Sequence, residues 1–183
     1  MAYGIAGGVV AIIIIWIIAS YNGFVKLKNS IEEAFSTMDV YLKKRYDLIP
    51  NLVETVKGYA KHESETLEKV IKARNIAAGA KNLEEKLAGE NMLTGTLKSL
   101  FAVAESYPDL KANTNFMDLQ RQLQLLENEI ASSRKYYNAV VKSYNTKREM
   151  LPSVIIAGLF KFKKKPLFEV SSEQERENVK VQF

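Results

Sequence analysis

Residues 116–151 read FMDLQRQLQLLENEIASSRKYYNAVVKSYNTKREML, and the reading of this stretch decides the fold class. Phe116, Leu119, Leu123, Leu126, Ile130, Tyr137, Val140, Tyr144 and Leu151 follow a spacing of three and four, with Ser133 and Lys147 the polar members of the series. Residues so spaced share one face of an α-helix, which turns once every 3.6 residues. The spacing predicts a helix of about 36 residues, roughly 54 Å long, with a coiled-coil-like seam. Tyr137-Asn138 and Tyr144-Asn145 fall one heptad apart and so share a face.

A stripe of that length needs apolar partners, and the sequence upstream supplies them. Phe24, Leu27, Ile31, Ala34, Met38 and Tyr41 form a second 3-4 series, thickened by Phe35 and Leu42. Pro50 interrupts it within Asp47-Leu48-Ile49-Pro50-Asn51, and the pattern resumes at Val53, Val56, Ala60, Leu67 and Val70. Proline lacks an N–H and disfavours helical geometry at the preceding residue, so the chain must bend here. A kink is expected rather than a turn, because Leu48 and Ile49 suit an exposed loop poorly. Ala77-Ala78-Gly79 with Lys81-Asn82, and then Gly89-Glu90-Asn91, are expected to break the pattern twice. A shorter helix carrying Leu93, Leu97, Leu100, Phe101 and Ala104 follows, and Pro108 ends it. The fold class is therefore all-α: an N-terminal transmembrane helix (residues 1–23), an elongated antiparallel bundle of three to four long helices (24–151) and an irregular, amphipathic and charged C-terminal tail (152–183).

Composition agrees. The 183 residues are 47% hydrophobic and contain only 9 Gly and 4 Pro, which suits long helices and disfavours a many-stranded sheet. No cysteine occurs, so disulfides, thiolate nucleophiles and Cys-based metal sites are excluded. The net charge of +5 is spread over Lys and Arg interleaved with Glu. No basic stripe alternates with exposed aromatics, and nucleic acid is not an expected partner.

The anchor is residues 3–21, YGIAGGVVAIIIIWIIASY, an uncharged run of about 28 Å as a helix, close to the hydrocarbon thickness of a bilayer. The membrane lipid bilayer is thus the first expected partner. No basic residue precedes the run and Ile17-Ile18-Ala19 is a poor cleavage site, so it reads as a retained anchor. Lys26 and Lys28, with Lys43, Lys44 and Arg45 beyond, place the bundle in the cytoplasm by the positive-inside rule. Gly4, Gly8 and Ala11 put small residues on the helix surface and allow close helix–helix packing, from which a homo-oligomer is expected. At the other end, Val154 to Phe160 is apolar but too short to span, and four lysines lie between Lys161 and Lys165 beside Phe160, Phe162 and Phe168. This segment either touches a membrane surface or lies over the bundle. Glu169 to Phe183 is expected to be extended or disordered.

The chain resembles the LemA family over nearly its whole length. The resemblance rests on Tyr21-Asn22, Asp39-Val40, Leu42-Lys43-Lys44-Arg45, Asp47-Leu48-Ile49-Pro50-Asn51-Leu52-Val53 and Val56-Lys57-Gly58-Tyr59-Ala60. It continues through His62-Glu63, Asn113 to Phe116, Leu119-Gln120, Glu127-Asn128, Ile130, Arg134, Tyr137-Asn138, Tyr144-Asn145, Pro152-Ser153, Ala157-Gly158-Leu159-Phe160 and Lys180-Val181, with Gln182 departing from the family's usual acidic or small residue. The resemblance implies a bacterial-type inner or cell membrane protein with an N-terminal anchor and a helical bundle. It brings no catalytic motif, and some relatives are linked to envelope or organelle-like membranes.

No nucleophile–base pair, HExxH or phosphate loop occurs, and no cofactor is expected. His62 is the single histidine and reads as structural. Glu127 is the acid expected inside the bundle, with Arg45, Arg121 or Arg134 as a structural ion-pair partner. Asp47, Asn51, Asn115 and Asn138 read as caps near helix breaks or as a polar patch that meets a partner, with Pro50 shaping the first of these. Two functions remain. One is a self-associating scaffold or interaction protein of the cell envelope, with no catalytic activity and possible envelope protein partners. The other is a ligand-binding or enzyme-accessory bundle in which Asp47, Asn51 and Glu127 line a polar pocket.

Overall fold

The structure, a computed structural model, describes residues 2–168. The expected charged tail from Glu169, with Lys180-Val181 and Gln182, lies outside the described residues. The described residues form six helices and no strand: α1 (Ala2–Tyr59), α2 (Ser64–Gly79), α3 (Leu83–Ala104), α4 (Pro108–Lys111), α5 (Thr114–Glu149) and α6 (Ser153–Leu159). The all-α expectation is met, and α5 has the predicted 36 residues.

α1 passes through Asn22-Gly23 and through Pro50, which is no turn, as the sequence suggests, but the helix ends differ from those expected. It stops at Tyr59 instead, and residues 60–63 turn the chain into α2. The apolar pattern hides this turn because Ala60 and Leu67 are both buried and stand seven apart, which imitates helical spacing across a non-helical link. His62 lies exposed in that turn and not on a helix. Gly89-Glu90-Asn91 is no break either, since α3 begins at Leu83, where Asn82 accepts the N–H of Glu85 at 2.9 Å and caps the helix.

The described residues divide into two compact units, one of residues 2–40 and 130–167, the other of residues 41–129 with Phe168. In the first unit, the first part of α1 runs antiparallel to the end of α5. Phe24 meets Tyr144 edge-on at 5.9 Å and Phe35 meets Tyr137 at 6.0 Å. Ile31, Ala34, Met38 and Val141 are buried with them. Val141 is buried where the heptad reading predicts Val140, so Ser133, Tyr137 and Val141 follow two consecutive steps of four before the step of three to Tyr144.

After α6, which buries Ile156 and Ala157, the chain runs extended along α5. Its carbonyls have no strand partner, and side chains of α5 supply the donors. Arg148 donates to the Phe162 carbonyl (2.9 Å), Tyr144 to Lys163 (3.1 Å), Asn145 to Lys165 (2.8 Å) and Tyr137 to Pro166 (3.1 Å). Asn145 also accepts the Lys165 N–H at 3.0 Å. Tyr137, Tyr144, Asn145 and Arg148 thus supply the face that straps down residues 162–166.

In the second unit, the remainder of α1 again runs antiparallel to α5. Asn115 donates to Thr55 at 3.2 Å and Asn113 to Tyr59 at 2.8 Å. α2 and α3 form a helical hairpin. A Cβ on Gly89 would come within 2.7 Å of the Ala77 Cα, so only glycine permits this approach. Buried Val70, Ala73, Ala77, Leu93, Leu97 and Leu100 complete the hairpin's inner faces.

Candidate functional site

Arg45 is the largest fully buried side chain in the structure, at 0% exposure. It belongs to the series Met38, Leu42, Arg45, Ile49, Leu52 and Val56, all buried, so helical geometry alone carries its guanidinium inward. A bare cation there would be prohibitively costly, and two carboxylates meet it. Arg45 Nη1 donates to Glu127 Oε1 at 2.7 Å and Nη2 donates to Glu90 Oε2. Tyr46 donates its hydroxyl to the other oxygen of Glu90. Glu90 is as buried as its partner, at 1% side-chain exposure, whereas Glu127 retains 39%. Burial opposes the guanidinium's charge, but the carboxylates of Glu90 and Glu127 more than offset it and hold Arg45 above its ordinary value. Arg45 is a permanent cation that cannot exchange protons at physiological pH, so the cluster fixes charge and position rather than performing acid–base chemistry.

Pro50 creates a second special point. Its missing N–H would have donated to the carbonyl four residues back, that of Tyr46. Arg74 of α2 donates its Nε to that carbonyl at 3.0 Å, and its Nη2 lies 3.9 Å from Asp47. Arg74 therefore replaces the donor that the proline removes, which lets α1 continue.

The predicted polar residues do not converge on one pocket. Asp47 and Asn51 line a groove of about 460 Å³ with Gln122, Leu125 and Leu126. Glu127 lines a different groove, of about 430 Å³, between α3 and α5 with Thr94, Lys98, Gln124 and Asn128. Asp47 and Asn51 stand inside α1, so neither caps a helix. Asn113, rather than Asn115, accepts the Phe116 N–H at 2.9 Å and caps α5. Arg134 and Asn138 are half-buried on the stretch of α5 that belongs to the other unit, apart in sequence from the Arg45 cluster. Gly8 and Ala11 are exposed, and nothing lies within 4 Å of a Cβ placed on Gly8; Gly4 is in the same helix.

Glu90 and Arg74 are missing from the sequence reading. Glu90 was findable: with Leu93, Leu97, Leu100 and Ala104 it keeps a 3-4 spacing, but Gly89 beside it suggests a break. Arg74 carries no sequence signal beyond lying on a helix after a proline. Among the described residues no group of His, Cys, Asp and Glu is arranged to hold a metal ion.

Residues 34–183 match the model of the LemA family. The chain belongs to the LemA family. Protein LemA of Metamycoplasma hominis is 28% identical over 130 residues, covering 69% of this chain and 58% of that protein. Magnetosome protein MamQ 2 of Paramagnetospirillum magneticum is 25% identical over 178 residues, covering 81% of this chain and 64% of its own length. Magnetosome protein MamQ of Magnetospirillum gryphiswaldense is 24% identical over 174 residues, with the same shares. The chain thus spans about three fifths of the length of these relatives, 58% to 64%. None of them is named for a reaction. With α1 as the one helix among the described residues long and apolar enough to cross a membrane, this LemA family member is a membrane-associated helical protein.

Proposed function

We propose that this LemA family member is a membrane-anchored scaffold or interaction protein of the cell envelope that self-associates through its apolar helix. One observation carries the reading: Ile12, Ile13, Ile14 and Ile15 are each about half exposed or more. Four successive residues point in four directions around a helix, so apolar surface faces outward on every side and needs lipid or a second helix to cover it. The basic residues after the run support a cytoplasmic bundle by the positive-inside rule. The likeness to proteins named for the magnetosome accords with a role in organising a membrane compartment.

Self-association is tested by light scattering on the full-length protein in mild detergent and in nanodiscs. A defined multimer is expected, and Gly8→Leu with Ala11→Leu should return it to monomer. Since no described residue outside its own helix lies within 4 Å of a Cβ placed on Gly8, dissociation would report an intermolecular contact. A monodisperse wild-type monomer in both media overturns the proposal. For orientation, the cysteine-free chain allows a single exposed Ser99→Cys. It should resist a membrane-impermeant maleimide in intact cells, and ready labelling would reverse the topology.

The ligand-binding alternative keeps one supporting observation, the α3–α5 groove with the part-exposed Glu127 at its wall. Removal of Lys98 and Gln124 side chains should leave the multimer intact under the scaffold reading.

A further inference from the structure

We infer that α6 and the lysine-rich segment after it form a foot that rests in the anionic headgroup layer of the membrane that α1 crosses; this rests on the spanning role proposed above. Three observations within one unit converge. Tyr21, the last residue of the apolar run, touches Phe160 at 4.8 Å and Phe162 at 5.8 Å between ring centroids. The C-terminal end of α6 is therefore held level with the end of the span. The exposed side chains of this short helix come next. Ile155 and Leu159, at 60% and 68% exposure, stand i and i+4 on α6 with Val154 beside them at 39%, and make one apolar stripe. Finally, the stripe gives way directly to Lys161, Lys163 and Lys164, all exposed. The backbone beside them is pinned to α5 through the carbonyls of Phe162, Lys163, Lys165 and Pro166, so the ammonium groups sit on a fixed support.

The occupant follows from chemistry. An apolar stripe flush with the end of a hydrophobic span continues the surface that lipid already covers. A rim of lysines suits headgroup phosphates, since their stems lie along apolar surface while their charges reach outward. Among the described residues, Glu149 is 3.8 Å from Lys164 in a loose exposed pair, and Lys161 and Lys163 remain for the phosphates.

The test uses single cysteines in the otherwise cysteine-free full-length chain, labelled with an environment-sensitive fluorophore and reconstituted in nanodiscs. The lipid is phosphatidylcholine alone or with phosphatidylglycerol, doped with nitroxide lipids of known depth. Ile13→Cys should be quenched by a deep nitroxide. Ile155→Cys and Leu159→Cys should be quenched by a shallow one, several-fold more than Lys135→Cys, and more strongly with phosphatidylglycerol. Lys161→Gln, Lys163→Gln and Lys164→Gln together should remove the dependence on phosphatidylglycerol. If Ile13 is quenched while Ile155 and Leu159 match Lys135, the foot is refuted and the span stands. An unquenched Ile13 would refute the span and the foot together. Quenching at Ile155 that ignores both phosphatidylglycerol and the lysine replacements refutes the anionic headgroup as occupant. Excimer emission from pyrene on Leu159→Cys, in place of quenching, would assign the stripe to a second copy and overturn the proposal.

Discussion

Around Arg45 the unit of residues 41–129 packs a permanent cation against two carboxylates and a phenol. The unit of residues 2–40 and 130–167 uses neutral rings instead, with Phe24 between Tyr144 and a stacked Phe162 at 4.7 Å. Both centres join α1 to α5, yet they differ in what an error costs. A ring that slips one turn still finds apolar neighbours, whereas a guanidinium that slips loses both partners in a medium that cannot solvate it. The ionic centre therefore fixes register, and the aromatic centre fixes area while leaving two hydroxyls to hold the extended segment.

The largest expected effect tests the ionic centre. Arg45→Met leaves Glu90 buried without its cation and should lower stability by about 3–5 kcal/mol, read from urea unfolding in detergent micelles. Adding Glu90→Leu should recover most of that loss. A double variant as unstable as the single one would show that packing volume, not charge, governs this centre. Next in size is Gly89→Ala, expected to cost about 1–3 kcal/mol by forcing α2 and α3 apart. Gly95→Ala, with nothing within 4 Å of the new methyl, should be neutral or stabilising.

Arg74→Met should cost about 1–3 kcal/mol by leaving the Tyr46 carbonyl without its donor. In a Pro50→Ala background the same change should cost clearly less, because the alanine N–H restores the helical bond. Additive losses in this double-mutant cycle would dissociate Arg74 from the proline. Pro50→Ala alone should be tolerated or stabilising.

The aromatic centre responds to alkaline pH. Burial raises the pKa of Tyr137 and Tyr144 above the ordinary 10.0, so folding favours their neutral forms. Their contribution is complete below the unfolded value near 10.0 and is lost as pH rises through the higher folded values. Thermal melts above pH 10 should show this loss, and Tyr144→Phe should diminish it while removing about 1 kcal/mol at neutral pH. The smallest effect is a gain. Lys161 ends α6 with φ at 55°, where the N–H of Phe162 reaches the carbonyl of Ala157 at 2.9 Å. Lys161→Gly relieves that left-handed conformation and should add roughly 0.5–1 kcal/mol.

The same contrast explains what was legible in the sequence. Apolar side chains announce their burial by type, so α5, the start of α1 and the aromatic seam are plain from spacing. Glu90 occupies a seam position equally well, but its residue type argues for the surface and overrides the spacing, whereas Arg45 is legible as a partner for Glu127. Gly89 reads as a break when it is a close approach, because glycine's backbone freedom and its lack of a Cβ leave the same letter in the sequence. The turn at 60–63 contains neither proline nor glycine and carries no punctuation. Asp47, Asn51 and Glu127 look like one site along the chain, and helical phase distributes them to separate grooves.

Pro50 and Arg74 also differ in what each would do in the absence of the other. A proline arriving first in the middle of α1 would strand a carbonyl and be selected against. An arginine arriving first at position 74 would meet Asp47 and a complete helix, with little effect on fitness. The arginine is therefore the permissive change. Once the proline is present, loss of the arginine is penalised while loss of the proline is not. Ancestral sequences reconstructed along the branch should show arginine at position 74 before proline at position 50.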